Sequence, residues 1–201
     1  TDAISHCEVV PEPSASRGIP AGTQRDSDGS SPRLRTVGIT GLGGFVPERT
    51  IDNHALEQMV ETTDDWIIQR TGIRARRQAD AGTTTSDLAA AAAREALADA
   101  GLDAAEVELL IVATATPDSP VPATACHVQR KLGAIRAAGF DLSIGCAGFT
   151  NALMVARSML ATGGFRNALV IGAEILTSVT DYTDRQSCIL FGDGAGAAVL
   201  E

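Results

Sequence analysis

Two runs of apolar residues do most to limit what this chain can become. Val107 to Ala113 (Val-Glu-Leu-Leu-Ile-Val-Ala) and Ala168 to Ala173 (Ala-Leu-Val-Ile-Gly-Ala) are nearly unbroken. Neither alternates apolar with polar, so neither suits a half-solvated sheet; each reads as a strand covered on both faces. Elsewhere the apolar positions fall at helical spacing. Thr85-Ser86-Asp87 caps a helix from Leu88 to Ala100 that Gly101 ends, and Gly133 ends another from Ala123 to Leu132. A strand from Ala138 to Ile144 leads into a further helix. The order strand, helices, strand, helix, strand, helix, strand, strand predicts an α/β layered domain with helices on both faces of the sheet. A chain of 201 residues is long enough for one such core, and with 3% aromatics that core is built from small aliphatic side chains.

Thr1 to about Arg35 is rich in Pro, Ser, Gly and Asp and has no hydrophobic period. It predicts a disordered extension with neither a signal nor a transit pattern, and residues 36–201 form the domain. His6 and Cys7, in this extension, carry no assigned chemistry. Val37 to Gly43 reads as the first strand, with Gly43-Gly44 as its exit. A helix follows from Ile51-Asp52-Asn53, capped by Asp52 or Asn53, with Leu56, Met59 and Val60 on its buried face. Thr62 to Arg70 is a second short helix, stopped by Thr71-Gly72. Thr114 to Pro122 is a proline-rich loop, and Gly192 to Gly196 is a turn before a last strand from Ala197 to Leu200.

A net charge of −9 argues against a nucleic-acid surface. Four cysteines without paired spacing argue against a zinc site and a disulfide scaffold, and point to a reduced, cytoplasmic setting. No apolar run is long enough to span a membrane. Asp181, Asp184 and Asp193 lack further ligands at metal spacing, so no metal is predicted. Cys126 and Cys188 read as packing residues.

Two stretches carry chemistry. In Leu142-Ser143-Ile144-Gly145-Cys146-Ala147-Gly148-Phe149-Thr150 a strand feeds a tight turn, with Cys146 at the start of a helix. That helix (Ala152, Leu153, Val155, Ala156, Met159, Leu160) is apolar on most sides and reads as centrally buried. Free N–H groups and the helix dipole stabilise a thiolate at such a position, and a thiolate attacks thioesters. On these local features Cys146 is either that nucleophile or a small packed residue. Arg70, Arg74, Arg76 and Arg77 form the densest basic cluster, and Trp66 shares a helical face with Arg70. The cluster is either a solvated loop beside a core Trp or a site for an anionic, aromatic ligand such as a nucleotide.

Asp64-Asp65-Trp66-Ile67 with Arg70-Thr71-Gly72-Ile73-Arg74, then Cys146-Ala147-Gly148-Phe149, Asp184-Arg185 and Phe191-Gly192-Asp193-Gly194-Ala195-Gly196-Ala197 keep the order and spacing of one family. From about Thr36 to Glu201 the sequence resembles β-ketoacyl-acyl-carrier-protein synthase III. The resemblance implies a thiolase-like fold of two similar αβα halves, of which this sequence is the first, in an enzyme that is usually a homodimer. It implies an acyltransferase that condenses an acyl-CoA primer, loaded on Cys146, with malonyl-acyl-carrier-protein to start fatty-acid synthesis. No cofactor is needed beyond acyl-CoA as substrate. The Cys146 N–H would be one oxyanion donor. Trp66 and Arg185 match positions that sandwich the CoA adenine, with Arg70 and Thr62 as nearby CoA contacts. Phe149 and Val121 fall in the acyl pocket, Val121 closing its end across a dimer interface. Where the family places a large aromatic at that position, very short primers are favoured; Val121 predicts a longer or branched primer. Gly145 stands where another small residue is more usual. The family's catalytic His and Asn lie in the second half. His6, His54 and His127 do not match that His, so a chain like this is expected to load an acyl group without completing condensation. A related acyltransferase of secondary metabolism and a non-catalytic subunit that binds CoA or a partner chain are the alternatives.

Overall fold

The computed structural model describes residues 34–201, so His6, Cys7 and nearly all of the predicted extension lie outside the described residues. The Arg35 N–H donates to the Ala161 carbonyl at 3.0 Å.

A five-stranded sheet forms the frame, in the order β1 (Ile39–Phe45), β7 (Asp193–Leu200), β6 (Ala168–Ile175), β4 (Leu109–Ala113), β5 (Ala138–Leu142). β4 runs parallel to β5 and β6, whereas β7 is antiparallel to both β1 and β6. Every residue of β4 is buried, and β6 is buried over most of its length, as their apolar composition requires. Helix α3 (Thr85–Ala100) and helix α4 (Thr124–Leu132) cover one face; helix α5 (Gly148–Ala161) covers the other. The result is the layered α/β architecture with a mixed sheet.

α3 starts a turn earlier than Leu88. Thr84 is its N-cap, and the Thr84 N–H donates to the Asp87 carboxylate at 2.9 Å. Glycine ends α3 and α4 where expected.

Three expectations need correction. The glycines of Gly43-Gly44 and Gly192–Gly196 are not all turn residues. Gly43 and Gly44 belong to β1, and Gly194 and Gly196 belong to β7. β7 is hydrogen-bonded on both sides, and a complete ladder overrides the weak strand propensity of glycine. Gly41 and Gly43 also let α3 lie close against β1: a Cβ on either would sit 2.3 Å from a helix carbonyl oxygen. The first helix is shorter than expected. α1 (Asn53–Glu57) is capped by Asp52, buries Leu56 and leaves Met59 exposed beyond its end. Ile51 and Asp52 instead belong to β2 (Thr50–Asp52), which pairs with β3 (Ala75–Arg77). Cys188 to Leu190 lies in a turn. Finally, α5 is not buried all round. Its buried stripe is Gly148, Ala152, Ala156 and Leu160, and Met154 on the far side is 67% exposed.

Candidate active site

β5 ends at Leu142, and Gly145 takes a left-handed φ of 73°. A side chain there would strain the backbone, so glycine allows the sharp entry into one 3-10 turn, Gly145–Ala147, ahead of α5. Cys146 therefore sits in the turn before the helix, not on its first residue. Thr150 Oγ1 and Asn151 Nδ2 donate to the Ala147 carbonyl at 2.9 and 2.8 Å and fix the turn. No side chain caps the start of α5; the Gly148 N–H is taken by the Gly145 carbonyl within the turn. The thiol is free and exposed.

Cys146 borders a cleft of about 280 Å³ between the ends of β4 and β6. Phe149 lies along it, against Gly172, where an added Cβ would meet the ring at 3.4 Å. Ala113, Ala115 and Phe191 complete an apolar lining. The exception is Glu174, which sequence reasoning missed; its only signal was an acid near the end of an apolar strand run. Val121 is 86% exposed and does not line this cleft, and neither do His54 and His127.

A second cluster forms on α2 (Asp64–Thr71), whose N-cap Thr63 accepts from the Trp66 N–H at 3.2 Å. The Arg70 guanidinium lies 4.1 Å from the Trp66 ring centroid, one helical turn on. Arg185 reaches the same ring from a distant part of the chain, at 4.9 Å, with Nη1 donating to the Glu61 carbonyl at 3.3 Å. Beside them the Thr62 hydroxyl oxygen is buried without a partner. The basic cluster read from the sequence divides. Arg76 is buried, bonded to Asn53 Oδ1 and the Ile189 carbonyl, and burial lowers its pKa from the usual range. Arg77 donates to the Pro47 and Glu48 carbonyls. Both serve the fold.

The segment from Asp181 to Phe191 joins the two clusters. It supplies Arg185 to Trp66 and Phe191 to the Cys146 cleft, while Cys188 and Ile189 pack with Ile67. Burial, the largest influence on Cys188, raises its thiol pKa, consistent with a packing role. The late aspartates are occupied separately: Asp181 by Thr183, Asp184 by Ser187, Asp193 by Ala79 and Thr177. Among the described residues no group of three or more His, Cys, Asp or Glu could hold a metal ion, and no helix is long and apolar enough to cross a membrane.

A mixed sheet between helices, with an exposed cysteine in the turn that opens the helix beneath its central strands, defines a thiolase-like condensing-enzyme unit. The family profile for 3-oxoacyl-[acyl-carrier-protein (ACP)] synthase III matches residues 140–201. The chain belongs to the β-ketoacyl-acyl-carrier-protein synthase III family. It is 52% identical over 164 residues to the synthase III of Caldanaerobacter subterraneus subsp. tengcongensis, covering 82% of this chain and 50% of that protein. The crystal structure of the Aquifex aeolicus synthase III superposes with a TM-score of 0.80 at 45% identity, over 82% of this chain and 53% of that one. The priming β-ketosynthase of the R1128 polyketide biosynthetic pathway superposes with a TM-score of 0.81 at 42% identity, over 85% and 51%. The chain thus spans about half the length of the curated relatives it matches.

Proposed function

We propose that this chain carries the primer-loading half of a β-ketoacyl-acyl-carrier-protein synthase III reaction. The observation that carries it is the free, exposed Cys146 at the rim of an apolar cleft. The Cys146 sulfur attacks the thioester carbon of an acyl-CoA, and the C–S bond to CoA breaks. The CoA thiolate leaves and the acyl group stays on the protein. The backbone N–H groups at the turn receive the oxyanion as it forms. Acyl-CoA is a substrate, and no further cofactor is required. Malonyl-acyl-carrier-protein is the extender in the condensation that starts fatty-acid synthesis. Of that reaction, loading is the part that Cys146 and the residues around it address. The enzyme works in the cytoplasm as a homodimer, with Val121 reaching the partner's acyl pocket.

Trp66, Arg70, Arg185 and Thr62 hold the CoA. An aromatic face and guanidinium planes suit adenine. A base between Trp66 and Arg185 needs two stacking separations, about 7 Å in all. At 4.9 Å the arginine therefore swings outward to admit it. Trp66 is the single tryptophan, so its fluorescence reports this step directly. CoA is expected to change that emission in a saturable way, and Arg185→Ala to weaken the response severalfold.

Loading itself is tested by intact mass after incubation with acyl-CoA. An adduct that maps to Cys146 and is absent in Cys146→Ala is the expected result; no adduct would leave only a CoA-binding subunit. The similarity to a polyketide priming enzyme favours a second reading, primer loading in secondary metabolism, which uses the same chemistry at Cys146.

A further inference from the structure

β4 and β6 pair in parallel from Leu109–Ala168 to Ala113–Gly172, and there the backbone ladder between them stops. The strands part around the Cys146 cleft. Glu174 spans the gap. Its Oε1 accepts the Ala115 N–H at 2.8 Å. Its Oε2 accepts the Thr116 N–H at 3.1 Å, the Thr116 hydroxyl at 2.7 Å and the Thr114 hydroxyl at 3.2 Å. Thr116 Oγ1 in turn accepts the Ile175 N–H at 2.9 Å, which closes the link back to β6. A carboxylate has about four acceptor sites. Three donors from Thr114 and Thr116 crowd Oε2 and the Ala115 N–H takes Oε1, so the group ties the segment to β6 as a strut.

The segment it holds has open space on both sides. Ala115 lines the Cys146 cleft of about 280 Å³. It also lines a second, hydroxyl-rich cavity of about 350 Å³, with Thr85, Thr116 and Ser178. Dense packing normally fixes a core wall. Here hydrogen bonds fix it, and moving the wall would pass volume from one space to the other.

We infer that Glu174 is a positioning residue whose bonds to Thr114–Thr116 set the depth of the acyl cleft, and so the length of primer that Cys146 accepts. The inference rests on the loading reaction proposed above. Glu174→Gln replaces one acceptor with an NH₂ group facing N–H and O–H donors, which breaks part of the strut. The wall then relaxes toward the second cavity and the cleft deepens.

The test compares initial rates of Cys146 acylation by acetyl-, butyryl-, hexanoyl- and octanoyl-CoA. The hexanoyl-to-acetyl ratio is expected to rise about tenfold in Glu174→Gln and in Thr116→Val, while Thr116→Ser, which keeps the hydroxyl, retains the wild-type ratio. In parallel, N-ethyl and N-hexyl iodoacetamide label Cys146 without needing a CoA site, with the labelled peptide identified by mass spectrometry. Their ratio should shift in the same direction. Unchanged ratios in both variants, or a shift in Thr116→Ser as large as in Thr116→Val, would overturn the strut. Wild-type protein that accepts no acyl-CoA, yet shows the alkylation shift, would overturn the loading reaction and leave the strut standing.

Discussion

The two faces of the sheet are finished in different ways. On one face α3 buries nine of its sixteen residues, most of them alanine, and lies hard against β1. It also closes the sheet edge. The outward N–H groups of Leu42 and Gly44 donate to Asp99 and Glu95 of α3 at 2.9 and 3.0 Å, so this edge cannot recruit another strand there. On the other face α5 buries only five of fourteen residues, along a single stripe. Its outer side borders an apolar groove with Val37, Ile39, Leu153 and Met154, and Ile39 and Met154 are more than half exposed. The sealed face carries the rigid frame. The open face carries Cys146, at the uncapped start of its helix. Close packing and reactive access are thus assigned to opposite sides of one sheet.

The sealed face should be the more fragile to added volume. Gly43→Val places a Cβ against the Ala92 carbonyl oxygen, where only 2.3 Å is available, and helix backbone cannot step aside cheaply. A loss of about 3 kcal/mol or more is expected in urea unfolding, enough to leave much of the protein unfolded. On the open face the buried stripe still matters. Leu160→Ala removes a fully buried side chain between α5 and the sheet, and is expected to cost about 2–5 kcal/mol in the same measurement.

The capped start of α3 adds a pH signature that uncapped α5 lacks. Burial alone would raise the Asp87 pKa, but Lys131 and the Thr84 N–H and hydroxyl together hold it down at about 2, below the ordinary 3.8. A carboxylate depressed in the folded state stabilises above its unfolded pKa and loses that contribution as pH falls through the folded value. Asp87→Ala should therefore cost about 1 kcal/mol at neutral pH. The difference from wild type should be flat above about pH 5, shrink as pH falls, and vanish only below about pH 2. A gap that stays at its neutral-pH size down to about pH 2 would show that packing, not the capping charge, is what was lost.

The same contrast explains what could be read from the sequence. β4 and β6 were legible because a strand buried on both faces has one composition, and α3 because its cap and terminal glycine bracket an alanine run. The glycines of β1 and β7 were not. Glycine marks a turn or a close approach, and only the position of α3 over Gly41 and Gly43 distinguishes these. The extent of α5 was legible but not its burial, since apolar side chains do not tell which of their neighbours belong to the same chain segment. At the site, Trp66 with Arg70 followed from helical spacing. Arg185, from far along the chain, was reachable only through family resemblance, and the structure brings it to the ring. Arg76 was grouped with Arg70, Arg74 and Arg77 because sequence distance shows charge density, not the Ile189 carbonyl that takes up the guanidinium. Glu174 escaped notice because its partners, two backbone N–H groups and two threonine hydroxyls, lie about sixty residues away in sequence.

The smallest expected effect gives the sharpest test of the open face. Met154 lies on α5 six residues before Leu160, and the two point to opposite sides of the helix. If solvent covers the outer side, Met154→Lys exchanges an exposed apolar side chain for a charged one of similar helix propensity, and stability should change by no more than about 0.5 kcal/mol. Solubility should rise, because the apolar patch with Ile39 is interrupted. Paired with Leu160→Ala, this yields two substitutions on one helix whose costs differ several-fold. If Met154→Lys instead cost as much as Leu160→Ala, the outer side of α5 would be packed in solution, and the asymmetry between the faces would belong to residues 34–201 alone. Unfolding curves at two protein concentrations separate the cases further. A face covered by a second chain makes the midpoint rise with concentration, whereas a face open to water leaves it fixed.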